Sequence, residues 1–247
     1  MRLAVLLGML LWEPPAAAET VRVAVAANFL PTAKAIAAQF EARHDTPVLI
    51  SSGSTGALYA QIRHGAPYDV FLAADARSAT LLERDGLAIA GSRFTYARGR
   101  LVLWSRRPGL LQDGAAALFD GRIGRLAVAN PRTAPYGAAA VETLEHLGRW
   151  RHLAGEVVRG ESVSQALQFA ATGNVDAAFV ALAQVRHPAH RGQGSAWVVP
   201  ADHYRPIEQQ AVLLASAADR PGARAFLEFL RAPAAQALIR EAGYDLP

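Results

Sequence analysis

Four short stretches of this 247-residue chain collect the residue types that hold a small anion. They are Ala26-Ala27-Asn28-Phe29, Ser51-Ser52-Gly53-Ser54-Thr55-Gly56, Asn130 to Gly137 (NPRTAPYG) and Gly160 to Gln165 (GESVSQ). Each follows a strand-like segment and opens a segment with helical spacing, so each is a strand-to-helix junction. All are small and rich in N–H and O–H donors. The first turn of a helix has unpaired N–H groups and the positive end of the helix dipole. Several such ends converging on one cleft would seat a compact anion without any lysine or arginine. One end contributes about 0.3–1 kcal/mol when exposed and up to about 2 when partly buried. Hydrogen bonds to a charged acceptor are about twice as strong as neutral ones. Taken singly, any of these junctions is only a cap: Asn28 suits an N-cap ahead of Pro31, and Ser162 with Gln165 makes a capping box. It is their recurrence at corresponding places in the chain that points to a shared site.

Other chemistries find less support. Cysteine is absent, which removes disulfides, thiolate metal ligands and a cysteine nucleophile. Gly53-Ser54-Thr55-Gly56 is no phosphate-binding P-loop, because no Gly-Lys-Ser/Thr follows. There is no Gly-x-Ser-x-Gly elbow for a hydrolase. His187 and His190 form a close pair in a proline-containing stretch without a third ligand, and read as solvent-exposed. Tyr136, after a proline, reads as a packing aromatic, and Glu142 and Glu145 as a solvent-facing pair. An exported enzyme would have to draw its general base from Asp75 or Glu161, the nearest carboxylates.

The elements that carry the junctions alternate. Strands are expected at 21–27, 47–51 and 69–74, with helices at 31–43, 57–64 and 76–85 between and after them. A strand at 100–105 and a short helix at 115–119 follow. The alternation then resumes with strands at 126–129, 156–158, 177–181 and 197–199 and helices at 137–147 and 163–172. Last come a strand at 210–215 and helices at 221–230 and 234–241. This order predicts an α/β fold of two lobes, each a mostly parallel sheet flanked by helices, with a cleft between them. The C-terminal piece is too small to fold alone and must complete the first lobe. The expected division is 19–97 with 206–247 for lobe I and 98–205 for lobe II.

Composition agrees with a packed, unanchored protein. Hydrophobic residues are 52% and charged residues 19%, which supplies a core and excludes bulk disorder. The net charge of +4 is mild and its basic residues are scattered, so nucleic-acid binding is not favoured. Residues 1–18 read as a secretory signal peptide: Met1-Arg2, an apolar run from Leu3 to Trp12, a break at Pro14-Pro15 and a small-residue cleavage site at Ala16 to Ala18. No later run reaches the roughly 18 apolar residues of a membrane helix. The expectation is a periplasmic protein with no membrane insertion after signal cleavage and no lipid anchor.

Several motifs carry a resemblance over residues 20–247: VAVAANFL (23–30), ISSGSTGALYAQI (50–62), GAPYDVFLAAD (65–75), SRFTYARGRLVLWS (92–105), ANPRTAPYG (129–137), ESVSQA (161–166), FVALAQV (179–185) and AGYDLP (242–247). With these the chain resembles the periplasmic molybdate-binding proteins, type II periplasmic binding proteins that serve molybdate ABC transporters. The resemblance implies a hinged two-lobe receptor, not an enzyme, holding molybdate and tungstate by neutral donors. It implies no cofactor and no resident metal beyond the oxyanion. The anion would be met by Ala27 and Asn28, by Ser54 and Thr55, and from the second lobe by Tyr136 and Val163 through backbone N–H groups. Some members carry a hydroxyl residue at the first turn where Ala27 or Asn28 stands. Others supply a tyrosine where Ala181 stands, and this chain is similar to the branch that has Tyr136 instead. The implied partners are the membrane permease and ATPase subunits of an ABC importer, and receptors of this kind act as monomers. Rival readings are a receptor for sulfate, an organic acid or chelated iron, an exported α/β enzyme, and the effector lobes of a transcription regulator. The last is contradicted by the export signal.

Overall fold

The computed structural model describes residues 19–247, so the signal-peptide reading of residues 1–18 lies outside the described residues. The strands are β1 (Val21–Ala26), β2 (Val48–Gly53), β3 (Val70–Ala73), β4 (Phe94–Gly99), β5 (Leu101–Ser105), β6 (Leu126–Ala129), β7 (Val157–Gly160), β8 (Ala177–Ala181), β9 (Ser195–Val198) and β10 (Ile207–Leu213). The helices are α1 (Leu30–His44), α2 (Thr55–Arg63), α3 (Ala76–Arg84), α4 (Pro135–His146), α5 (Trp150–Leu153), α6 (Val163–Ala171), α7 (Leu182–Arg186), α8 (Pro221–Phe229) and α9 (Pro233–Ala242).

The strands form two sheets of five, in the orders β2-β1-β3-β10-β4 and β7-β6-β8-β5-β9. In each sheet one strand runs against the other four. β10 is antiparallel to β3 and β4, and β5 is antiparallel to β8 and β9, while the remaining pairs are parallel. The reversed strands are the first to enter a sheet after the chain crosses between lobes, which is why the mostly parallel pattern is interrupted at the same place in both.

The central strands are apolar along their whole length and buried on both faces, as helix-covered parallel sheets require: β3, β5, β6 and β8 expose no residue. Edge strand β2 alternates instead. Ile36 and Phe40 of α1 share one core with Val23 and Val25 of β1, and Phe226 of α8 and Ile239 of α9 join it. The C-terminal segment thus docks on the first sheet. Arg220 fastens it there, pairing with Asp69 and with Glu19. Arg220, just ahead of α8, donates to the buried Asp69 carboxylate at 2.5 Å and to the Thr20 carbonyl at 2.6 Å. Arg220→Ala leaves that carboxylate with only the Arg22 N–H and is expected to cost about 3 kcal/mol. A thermal melt should show it as a fall in Tm of roughly 6–12 °C.

Some expectations change. β4 was not anticipated, because FTYARG lacks a continuous apolar run and is joined to β5 through the single residue Arg100. α5 and α7 also went unread; five residues or fewer carry too little periodicity. The helix expected at 115–119 is a 3-10 turn, Gly114–Leu118. Asn28 is no cap: Ala26 holds that position ahead of the 3-10 turn Ala27–Phe29, which runs straight into α1.

Candidate functional site

The carboxyl ends of β1, β2 and β3 face those of β6 and β7 across the cleft, and ligands in open α/β sheets lie at such ends. A small cavity sits between them. Ala27 and Asn28 line it after β1, Ser54 and Thr55 after β2, Tyr136 at the start of α4 and Val163 at the start of α6. Ala26, Ala74, Ala134 and Pro135 complete the wall. All six residues singled out in the sequence therefore meet at one place. No Lys, Arg, His, Asp or Glu lines it. The cavity is small, so a compact occupant would meet residues of both lobes at once.

The donors are left open by local chemistry. Ser54 occupies the N-cap of α2 with extended backbone, yet its side chain makes no cap hydrogen bond. Its hydroxyl is uncommitted among the described residues. Thr55 is buried, and its Oγ1 accepts the Ala74 N–H at 3.0 Å. One lone pair is thereby used, and the hydroxyl proton stays available. In α6 the capping box is present in a variant form. Ser162 Oγ accepts the Gln165 N–H at 3.3 Å, and Gln165 Oε1 accepts the Glu161 N–H at 2.6 Å. Those bonds leave the N–H groups of Val163 and Ser164 without helical partners. Pro135 opens α4 with no N–H to satisfy, so Tyr136 supplies the first free one.

Two side chains turn away from the cavity. The Asn28 amide donates to Gln209 Oε1 at 2.9 Å and to the Tyr244 hydroxyl at 3.1 Å. The Tyr136 hydroxyl accepts from Gln209 Nε2 at 3.3 Å. What both residues offer the cavity is backbone. Burial holds the Tyr136, Tyr96 and Tyr244 hydroxyls above the usual phenol range, so they stay neutral. Sequence reasoning gave no hint of Gln209, because a glutamine inside a strand has no motif.

The lobes touch across the cleft. The Gly56 N–H donates to the Thr133 carbonyl at 2.8 Å on one side. On the other, Ser164 Oγ donates to the Ala27 carbonyl at 3.2 Å and accepts from Gln184 Nε2 at 3.2 Å. This is a closed form.

The residues behind the rival readings sit elsewhere. Asp75 caps α3, accepting the Ser78 N–H at 2.7 Å and the Ser78 hydroxyl at 3.2 Å, and burial raises its carboxyl above the ordinary range. Arg132 is exposed and lines a neighbouring groove of about 700 Å³ rather than the small cavity. Glu142 corrects an expectation: it is partly buried and pairs with Arg205, which bridges it to the chain returning from the second lobe. His190 packs edge-on against Trp104.

The comparisons with known proteins show the family and the fold. The chain is 48% identical over 245 residues to the molybdate-binding protein ModA of Azotobacter vinelandii, covering 99% of this chain and 97% of the relative. It is 46% identical over 242 residues to ModA of Rhodobacter capsulatus, covering 98% and 93%. The solved Azotobacter vinelandii periplasmic molybdate-binding protein superposes with a TM-score of 0.89 at 44% identity, over 92% of this chain and 99% of that one. The sulfate-binding protein SubI of Mycobacterium tuberculosis H37Rv shares the fold alone, with a TM-score of 0.77 at 15% identity, over 92% and 87%. The family model for bacterial extracellular solute-binding proteins matches residues 21–245, and the chain belongs to that family.

Proposed function

We propose that this protein is a solute receptor that captures molybdate, and tungstate with it, between its lobes and delivers the anion to an ABC importer. The observation that carries the reading is a cleft cavity lined by the helix-start residues Ala27, Asn28, Ser54, Thr55, Tyr136 and Val163, with no charged side chain. The named relatives bind molybdate, and the chain carries their length almost whole.

In this reading the N–H groups of Ala27, Asn28, Tyr136 and Val163 and the hydroxyls of Ser54 and Thr55 hold the anion. Residues 19–97 with 206–247 form one lobe and 98–205 the other. An open form binds the anion on one lobe, and closure adds the donors of the second. Residues 1–18 direct export to the periplasm, and the mature chain works there as a monomer against a permease and its ATPase.

A site that offers N–H and O–H donors and no carboxylate suits a fully deprotonated dianion. Hydrogen phosphate brings a proton that needs an acceptor, and an unmatched buried donor costs about 1–3 kcal/mol. Sulfate has the right charge and shorter bonds, so it reaches fewer walls at once. Calorimetric titration of residues 19–247 with molybdate, tungstate, sulfate and phosphate tests this. Tight binding of the first two, weak sulfate and no phosphate is expected. Phosphate binding as tight as molybdate refutes it.

The contact from Ser164 to Ala27 joins the lobes only in the closed form. Ser164→Ala removes the one hydrogen bond it makes across the cleft, about 0.5–1.5 kcal/mol, along with its contact to Gln184. Stopped-flow release of molybdate should quicken roughly 2- to 12-fold, with little change in the association rate.

A further inference from the structure

We infer that Gln209 is a positioning residue for anion capture: its buried amide ties the lobe I half of the site to the lobe II half from behind. The inference rests on the molybdate-receptor reading and adds a residue that does not line the cavity.

Gln209 is fully buried on β10, the strand on which the chain returns from lobe II to lobe I. The pairing of β10 with β4 shifts register between Gln209 and Gln210. A bulge of this kind re-aims a side chain and is common beside functional sites. Here it coincides with an amide that reaches both halves of the site. Its Oε1 accepts from Asn28 Nδ2 at 2.9 Å and from the Tyr96 hydroxyl at 3.1 Å, and its Nε2 donates to the Tyr136 hydroxyl at 3.3 Å. Asn28 and Tyr136 line the cavity from opposite lobes.

The polarity of this chain of bonds is fixed by a group that can only accept. The Asn28 carbonyl takes the Tyr244 hydroxyl proton at 2.9 Å. Tyr244 must then accept from Asn28, so the Asn28 side chain presents Nδ2 there. The same Nδ2 donates onward, so Gln209 must present Oε1, and its Nε2 is left for Tyr136. Only a side chain with an acceptor and a donor on one planar head fits. Space agrees: a Cβ on Gly99 would lie 3.0 Å from Gln209 Nε2 and against the Tyr136 hydroxyl, so β4 approaches there as glycine. Closure brings Tyr136 to this amide, and the amide holds the Asn28 turn at the same time. Seating of the second lobe is thereby linked to the geometry of the first.

The test uses Gln209→Glu and Gln209→Leu in the mature protein, with molybdate as the probe. A protonated glutamate offers the same acceptor and donor as the amide, whereas an ionised one loses the donor and puts a negative charge behind the dianion. Burial raises such a carboxyl, so the change falls within an accessible range. The groups that face it, Tyr96, Tyr136 and Tyr244, are held neutral by burial. Asp75 is the carboxylate felt at Tyr96, and the wild-type protein measured at each pH corrects for it.

Relative to wild type, Gln209→Glu is expected to bind molybdate nearly normally at pH 6 and on the order of tenfold more weakly at pH 9. Gln209→Leu is expected to release the anion faster at every pH. A purely structural glutamine would lower Tm in both variants and leave molybdate release from Gln209→Leu at the wild-type rate. A flat ratio for Gln209→Glu overturns the proposal, and that variant decides the matter if Gln209→Leu fails to fold. Ser54→Ala run alongside keeps the two readings apart. Affinity lost there, with a flat ratio for Gln209→Glu, removes the role of Gln209 alone, while affinity retained there overturns the anion-site assignment itself.

Discussion

Replacing Thr55 by alanine should weaken molybdate binding about 10- to 150-fold and also lower the melting temperature, whereas Ser54→Ala should do only the first. The two hydroxyls differ in what else they hold. Each is expected to give a hydrogen bond to the charged anion, with a contribution of about 1.5–3 kcal/mol. Ser54 makes no cap bond, so its loss leaves the unliganded fold intact. Thr55 accepts the buried Ala74 N–H, and a buried donor stripped of its acceptor costs about 1–3 kcal/mol. Titration calorimetry reads the shared affinity loss. Melts without anion read the difference, a fall of roughly 2–12 °C for Thr55→Ala alone. Wild-type affinity in Thr55→Ala would reduce that residue to a prop for the β3 end. Thr55→Ser should keep both functions.

A second substitution should move stability and affinity in opposite directions. Gly56 lies in the first turn of α2, and its φ is not in the left-handed region, so its backbone tolerates alanine. An added Cβ would come within 2.9 Å of Thr133 Cα and 3.1 Å of the Thr133 carbonyl oxygen. Those are backbone atoms of the opposite lobe and cannot swing aside. The clash exists only when the cleft is shut. In the open form the change replaces a helical glycine by alanine, which favours the helix by roughly 0.5–1 kcal/mol. Overpacking in the closed form costs about 1–3 kcal/mol, and a penalty on the binding-competent state lowers apparent affinity in proportion. Gly56→Ala is therefore expected to bind molybdate about 5- to 150-fold more weakly. Its unliganded Tm should be no lower than wild type in a chain that is open when empty. Calorimetry and a melt on the same sample decide it, and an unchanged affinity would mean the lobes do not close this far on the anion.

Much of this was legible in the residues. The apolar runs of β1, β3, β6 and β8 announced buried strands, because a strand covered on both faces has no polar side to show. The junctions after β1, β2, β6 and β7 announced a donor-rich site, because small hydroxyl residues and glycines at helix starts leave N–H groups uncovered. Glu142 was misread for a plain reason. Its spacing from Glu145 describes the helix surface, and nothing local says that Arg205 arrives from the chain's return crossing to cover it. Asn28 was misread in the same way: its type suits a cap, but a buried glutamine and a tyrosine 216 residues further along took its amide.

The sequence by itself determined the alternation of elements, the two-lobe order and which turns carry free donors, since those follow from periodicity and from groups within a few residues of one another. Only the tertiary structure decided that those turns meet at one cavity, and that the side chains of Asn28 and Tyr136 turn to Gln209, which stands between them. Such contacts join residues from distant parts of the chain, and local composition holds no record of the partner that folding will bring.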